Sequence, residues 1–454
     1  MFARYFSTII AFLAVAICAH AQIQPSAADI AAKTDEYMNA LLKVKGVGGT
    51  VLISRNGERI VNRGYGYADA EAKVPNAPNT KFRIGSITKQ FTAAAVLLLQ
   101  EKGKLSVKDP ACKYLEDCPE TWKQVTIHQL LSHTSGITNF TALPEFRSKK
   151  SEDLKPYDVL AMVKSLPLRS TPGEKFEYSN TNYTILGIII EKTSGKTYDS
   201  FLKESIFDRL KLTDTGYDFG KERLPNAALG YSKRGDEVVP AAAISMQVPY
   251  AAGALYSTVG DLYKWQEALL GGDLLKTDSL SAMLTPNLNG YGYGIGKGAI
   301  SGRERIAHAG GIDGFSSNIA ILPVEKVVVI VLLNSDAVLA SLVSRDLESI
   351  VFGEKYAVPQ ERKTVAVDAM LLDSYAGQYQ VAPGLILSIA RTASGLTFQP
   401  TGQPNAAEMF AESDSKFFLK VVDAQITFVK DADGKVTGLE FQQAGRTTKA
   451  ARKE

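Results

Sequence analysis

Ser86 and Lys89, in the stretch FRIGSITKQFTAAAVLLLQ (residues 82–100), have the types and spacing of a nucleophile and its base. A β-like run, Phe82-Arg83-Ile84, meets Gly85, and Ser86 then opens an apolar segment with the length and composition of a helix. On a helix, positions i and i+3 share one face. At the N-terminus, free N–H groups and the helix dipole favour negative charge, which suits a serine that must become an alkoxide. A lysine in apolar surroundings has its pKa lowered and can accept the serine proton. The alternative is a solvated lysine that snorkels out of the helix. Ser-x-x-Lys recurs at Ser200–Lys203 and Ser413–Lys416, so the spacing alone carries little. The strand-glycine-helix context is what sets the first copy apart.

Two further groups have chemical capacity. Tyr178-Ser179-Asn180 ends a loop rich in Pro, Gly, Ser and Asn, and such loops often carry function. Tyr178 can relay a proton, and Asn180 can hold a substrate amide or the lysine. Ordinary loop hydrogen bonding is the competing reading. His308-Ala309-Gly310-Gly311 follows the strand-like RERIA. Small residues on an edge strand let a substrate backbone approach, and an N–H there can complete an oxyanion hole with that of Ser86. A tight strand turn with a satisfied histidine is the competing reading.

Other chemistries lack their residues. The chain has no HExxH and no CxxC, so no zinc site is expected. GxxxxGK[ST], GxGxxG and the GxSxG nucleophile elbow are also missing. Net charge is +3, or +2 once Arg4 is removed with residues 1–21. That balance gives no electrostatic case for nucleic acid.

These groups need elements to position them. An amphipathic helix is expected over 26–43, then a hairpin through Asn56-Gly57 joining GTVLISR to ERIVNRGYGYA. The helix carrying Lys89 is expected over 87–102. Residues 126–165 read as mainly helical with a polar loop near 138–153, and Thr184–Thr193 as another helix. Strands return at RERIAHAG, SSNIAILP and VVVIVLLN, followed by a helix at 337–352. Strands from both ends of this region imply an antiparallel sheet packed against a helical lobe. Residues 356–366 read as a linker. Beyond Leu371, short alternating strands at even spacing imply a small all-β barrel or sandwich.

The first residues, MFARYFSTIIAFLAVAICAHAQ, read as a cleaved export signal over 1–21: a positive flank, an apolar core, and Ala19-His20-Ala21 before Gln22. The expected location is periplasmic or secreted, with no stable membrane insertion after cleavage. Cys112 and Cys118 are then expected to pair as a loop staple.

Taken in order from Ser86 to Gly311, the three groups resemble the serine β-lactamase and penicillin-binding-protein superfamily. The resemblance is closest to its class C β-lactamase-like branch, with D-aminopeptidases, D,D-carboxypeptidases and esterases. FRIGSITKQFTA, VTIHQLLSHTSGI, TPGEKFEYSNTNYTILG, GALYSTVGDLYKW and HAGGIDGFSS are all similar to signatures of that family. The resemblance implies an acyl-enzyme on Ser86, with Lys89 as base or base partner and Tyr178 as proton relay. It implies substrate-binding roles for Asn180, His308, Gly310 and Gly311, with the Ser86 and Gly311 N–H groups as the oxyanion hole. It gives His133, in LLSHTSGI, a structural place only. It implies no cofactor and no metal, and a small-molecule or peptide substrate.

One departure bears on substrate. Lactamases of this branch carry Lys-Thr-Gly where this chain has His308-Ala309-Gly310. A histidine near its reference pKa of about 6.5 is mostly neutral at pH 7. A substrate carboxylate should therefore be held less firmly there. The reading tilts to D-amino-acid peptidase, amidase or esterase activity, with β-lactamase as the alternative. A non-catalytic penicillin-binding sensor is the alternative of another class, and the intact Ser86, Lys89 and Tyr178 argue against it. The specificity loop, about 138–156, has no readable chemistry. The expected fold is α+β, an α/β/α sandwich: an antiparallel sheet flanked by helices plus a helical lobe, over residues 22–355. A small all-β barrel over 367–454, which resembles a lipocalin-like domain, follows the linker.

Overall fold

The structure is a computed structural model that describes residues 24–234, 237–403, 406–419, 424–443 and 446–453. The export signal expected over 1–21 lies outside the described residues. Six strands form the central antiparallel sheet: β1 (Gly49–Arg55), β2 (Glu58–Tyr65), β3 (Gly296–Ile300), β4 (Arg303–Ile312), β5 (Phe315–Leu322) and β6 (Val327–Leu333). Their spatial order is β3-β4-β5-β6-β1-β2. Asn56 and Gly57 close the β1–β2 hairpin with φ of 56° and 81°, the left-handed conformations that a tight two-residue turn requires. The two sequence ends meet where β1 pairs with β6, Gly49 opposite Leu333 and Arg55 opposite Val327.

β6 reads VVVIVLL without alternation because both of its faces are covered. Helices α1 (Ala27–Lys45), α2 (Thr88–Glu101), α3 (Asn180–Ser194), α4 (Val259–Gly271) and α5 (Ala340–Phe352) do most of the covering. Val51, Ile53, Val329 and Val331 point to one side, into a core shared with α1 and α5. Leu52, Ile330 and Leu332 point to the other, into the core of the helical lobe with α2, α3 and α4. α1 starts at a capping box in which Ser26 Oγ accepts from the Asp29 N–H, and it ends at left-handed Gly46.

α2 is apolar all round because neighbours surround it. Phe91 stacks on Trp265 of α4 with ring centroids 4.0 Å apart, and Trp265 Nε1 donates to Gln90 Oε1 at 2.9 Å. Truncating Phe91 to alanine would cost about 3–5 kcal/mol, the range for a fully enclosed aromatic ring. That packing fixes the helix on which Lys89 sits.

The lobe departs from the sequence expectation in two places. Helix in 126–165 is broken into short pieces, Ile127–Leu131, Pro144–Lys149 and Pro156–Ala161, and the second of these falls inside the expected polar loop. α3 begins at Asn180, earlier than the apolar pattern suggests, because its first turn, Asn-Thr-Asn-Tyr, is polar and turned toward the site. Cys112 and Cys118 form a disulfide, with Cα atoms 5.4 Å apart.

Residues 354–368 hold no helix or strand. After a short helix, Ala369–Tyr375, a closed antiparallel barrel of eight strands follows: β7 (Gly377–Ala382), β8 (Leu385–Arg391), β9 (Leu396–Pro400), β10 (Ala407–Ala411), β11 (Lys416–Leu419), β12 (Ala424–Lys430), β13 (Val436–Gln443) and β14 (Arg446–Arg452). Closure by β7 against β14 removes the free edges that short strands would otherwise expose. Tyr375 stacks on Phe428 inside it, centroids 3.9 Å apart, and satisfies its buried hydroxyl on the Asp414 carbonyl at 2.9 Å. Among the described residues, no helix is long and apolar enough to cross a membrane.

Candidate active site

Gly85 places Ser86. Its φ is 50°, and a Cβ there would meet the backbone of Gly311 at 2.9–3.0 Å. Only glycine lets the chain turn from Ile84 into the tight turn Gly85–Ile87 while pressed against β4. Gly310 is held as closely: a Cβ would lie 2.0 Å from the Ile84 carbonyl oxygen and 2.3 Å from Ser317 Oγ. The two glycines thus let the Ser86 turn and the edge of β4 touch backbone to backbone.

Lys89 is wholly buried, at 0 % exposure, one turn into α2. Its Nζ lies 2.9 Å from Ser86 Oγ, 2.8 Å from Asn180 Oδ1 and 2.8 Å from the Ala252 carbonyl oxygen. No acidic side chain among the described residues pairs with it. Burial therefore drives its pKa well below the ordinary lysine value. A neutral amine has two N–H donors and one lone pair. Asn180 Oδ1 and the Ala252 carbonyl can each take a donor, which leaves the lone pair for the Ser86 hydroxyl. The other two Ser-x-x-Lys copies lack this setting. Exposed Lys203 pairs with Asp208, and Lys416 with Glu412.

Asn180 is the first residue of α3, preceded by Ser179 in extended backbone and by Tyr178 before that. Asn180 Nδ2 donates to Thr141 Oγ1 at 3.3 Å, which orients its oxygen to Lys89. The Tyr178 hydroxyl interacts with Ser86, a contact that favours phenolate. The residue is 36 % exposed overall, yet its ring packs against those of His133, Tyr291 and His308. Burial is the larger effect and holds the pKa above the ordinary tyrosine value. Lys89 Nζ lies 4.9 Å from the centre of the same ring. The site thus brings Ser86, Lys89, Tyr178 and Asn180 together around one hydroxyl.

His308 sits differently from the expectation of a substrate contact. It is 8 % exposed, and both ring nitrogens are taken. Nδ1 lies 2.7 Å from the Ala309 carbonyl oxygen, which can only accept, so Nδ1 carries the proton. Nε2 then accepts from the Tyr291 hydroxyl at 2.8 Å. That neutral tautomer agrees with a pKa pushed down to about 4, chiefly by burial. The ring has no nitrogen left for a substrate.

His133 buttresses Tyr178. Its ring packs 4.3 Å from the Tyr178 ring, and its Nδ1 accepts the Ser179 N–H at 3.2 Å. Its φ of 56° is left-handed, which costs a non-glycine residue about 1–2 kcal/mol. Burial holds its pKa well below the ordinary histidine value.

Ser86, Asn180 and Gly311 line one cavity of about 350 Å³. Phe140, Phe146, Val248 and Ile312 give it apolar walls, and Arg147, Lys150 and Asp313 give it charge. Sequence reasoning missed several members. Ala252 acts through a backbone carbonyl, which has no sequence signature. Its position is set by the turn Tyr250–Gly253, which Tyr250 enters with φ of 39°. Tyr291 lies in the glycine-rich GYGYGIGKG, where nothing marks it as a partner for His308. Arg147 and Lys150 fall in the segment without readable chemistry; only the fold brings both to the cavity and pairs Lys150 with Asp313.

The family described as Beta-lactamase matches residues 31–348, and a second family, a domain of unknown function (DUF3471), matches residues 361–452. The chain is similar to "Penicillin-binding protein 4*" of Bacillus subtilis (strain 168), 28 % identical over 412 residues, covering 85 % of this chain and 90 % of the relative. Among solved structures, the D-amino acid amidase from Ochrobactrum anthropi SV3, complexed with D-phenylalanine, is 26 % identical with a TM-score of 0.60. It covers 67 % of this chain and 92 % of its own. The octameric penicillin-binding protein homologue from Pyrococcus abyssi shares the fold over 92 % of this chain and 99 % of its own, with a TM-score of 0.65 at 24 % identity.

Proposed function

The chain belongs to the beta-lactamase family and is a serine hydrolase, and from that premise we propose that Ser86 is its nucleophile, acting on D-amino-acid amides and peptides or on esters. The observation that carries this reading is the Ser86–Lys89 contact of 2.9 Å, made by a buried lysine with no carboxylate beside it. Lys89 takes the Ser86 proton as Oγ bonds to the substrate carbonyl carbon. The carbonyl oxygen becomes an oxyanion held by the N–H groups of Ser86 and Gly311, whose turn and strand are pressed together at Gly85. Tyr178 gives its proton to the leaving nitrogen or oxygen as that bond breaks, and Lys89 returns a proton to Tyr178. Water then attacks the acyl-Ser86 by the reverse sequence, which restores the serine.

The neutral, internally bonded His308 supports amides and esters over carboxylate-dependent lactams, because it supplies no cation at the third motif. The amidase neighbour supports the D-amino-acid class. Export is part of the proposal, and the Cys112–Cys118 disulfide supports it, since such bonds persist in oxidising compartments.

The test is a serine-reactive phosphonate with intact-mass detection, alongside a panel of D-amino-acid anilide, p-nitrophenyl ester, D-Ala-D-Ala peptide and β-lactam. One adduct is expected on the wild-type protein and none on Ser86→Ala. Persistent labelling of that variant would place the nucleophile elsewhere. Turnover of the β-lactam alone would replace the amidase or esterase reading.

A further inference from the structure

The cavity at Ser86 has a charged wall that the reaction just described does not use. Arg147, on the helix Pro144–Lys149, lines it together with Lys150 and Asp313. Lys150 and Asp313 form an ion pair across the opening, between the lobe and the β4–β5 turn. Each neutralises the other. On Arg147's own helix, Glu145 is paired with Lys149. Arg147 is exposed and has no ion-pair partner among the described residues. It is the cavity wall's one unbalanced charge among those residues, and its neighbours there are the apolar Phe140, Phe146 and Ile312. His308, on β4 beside the site, adds no balancing or competing cation, since both its nitrogens are bonded within the protein.

We propose that Arg147 recognises an anionic group on the acyl part of the substrate, so that the enzyme selects acyl chains with an apolar body ending in a carboxylate. The inference rests on the reading of Ser86 as nucleophile, since the acyl group is the part that stays attached to Ser86 in this cavity. A guanidinium forms two parallel, charge-assisted hydrogen bonds to a carboxylate, stronger than neutral ones and fixed in direction. The apolar walls take the chain between Ser86 and that end group.

Two esters with one leaving group test it: mono-p-nitrophenyl glutarate, which carries a free carboxylate, and its neutral methyl ester. The expected wild-type ratio of kcat/KM values favours the acid by roughly ten-fold, the size of one charge-assisted hydrogen bond. The ratio should fall to about one in Arg147→Gln and below one in Arg147→Glu, while Arg147→Lys keeps part of the preference. Added salt should weaken it. A wild-type ratio near one, or a preference unchanged in Arg147→Gln, overturns the proposal while leaving Ser86 as nucleophile. Turnover of neither ester, with no acyl adduct by mass, overturns the hydrolase reading and this inference with it.

Discussion

Lys89 Nζ lies 2.8 Å from Asn180 Oδ1, an uncharged partner, where a carboxylate of the same shape would fit. That choice of residue leaves the buried amine without a counter-charge, so burial lowers its pKa unopposed. An oxygen acceptor without charge orients Nζ toward Ser86 and does not stabilise the ammonium as an ion pair would.

Asn180→Asp therefore raises the Lys89 pKa with little change in shape. A carboxylate at this distance favours the charged lysine by roughly 1–3 pH units. Only the free amine can take the serine proton. The acid limb of the kcat/KM profile should move to higher pH by that amount, and turnover at pH 7 should drop. Measuring kcat/KM from pH 5 to 10 on a p-nitrophenyl ester checks this. An unmoved limb would assign the base to another group.

Tyr178→Phe separates leaving-group protonation from nucleophile activation. An anilide needs a proton on its departing nitrogen, whereas p-nitrophenolate leaves without one. The anilide should lose roughly 10²–10⁴ in kcat, the usual contribution of a positioned acid. The ester should lose much less. Equal losses would mean that Tyr178 acts on Ser86 alone.

Two buried histidines, His133 and His308, and the half-buried His128 make the fold sensitive to acid. The His308 pKa is lowered to about 4 in the folded state, and His128 and His133 are lowered as well. Between pH 4 and 6.5 the unfolded chain binds more protons than the folded one, so stability falls as pH falls. The contribution is complete above about pH 6.5. For His308 it amounts to about 3 kcal/mol over that window, taking 1.36 kcal/mol per pH unit. Urea unfolding at pH 7.0, 5.5 and 4.5 should show the decline, with a shallower slope in His308→Asn. Equal slopes in the two proteins would place the acid sensitivity elsewhere.

The disulfide stabilises without taking part in the reaction. Cys112 and Cys118 are six residues apart, and cross-linking so short a loop is worth about 2 kcal/mol in the chain-entropy account. The double variant Cys112→Ser, Cys118→Ser should melt at a lower temperature than the oxidised wild type, while ester turnover at 25 °C stays unchanged. Neither cysteine lines the Ser86 cavity. An unchanged melting temperature would show the staple to be energetically idle.

How much of this was legible beforehand depends on the type of signal. β1, β2 and their Asn56-Gly57 turn were readable because alternation and turn chemistry are local. So was α2, whose apolar run is long enough to exclude a strand. The first turn of α3 was not, because Asn180, Thr181 and Asn182 are spent on contacts with Lys89, Thr138 and Ser135 and not on the core. The short helix Pro144–Lys149 was hidden for the same reason: its one buried residue, Phe146, leaves no periodic pattern.

The sequence by itself determined the chemical capacity: a serine one turn before a lysine in an apolar helix, a tyrosine-asparagine loop, and a glycine strand edge, in an order specific to one family. It also determined that strands from both ends must form one sheet, because their apolar runs need cover on both faces. Only the tertiary structure decided protonation and charge. Whether Lys89 is buried, whether His308 has a free nitrogen, and which cavity cation is left unpaired depend on neighbours distant in the chain. Ala252, Tyr291 and Asp313 are such neighbours, and burial and pairing, not residue type, set those states.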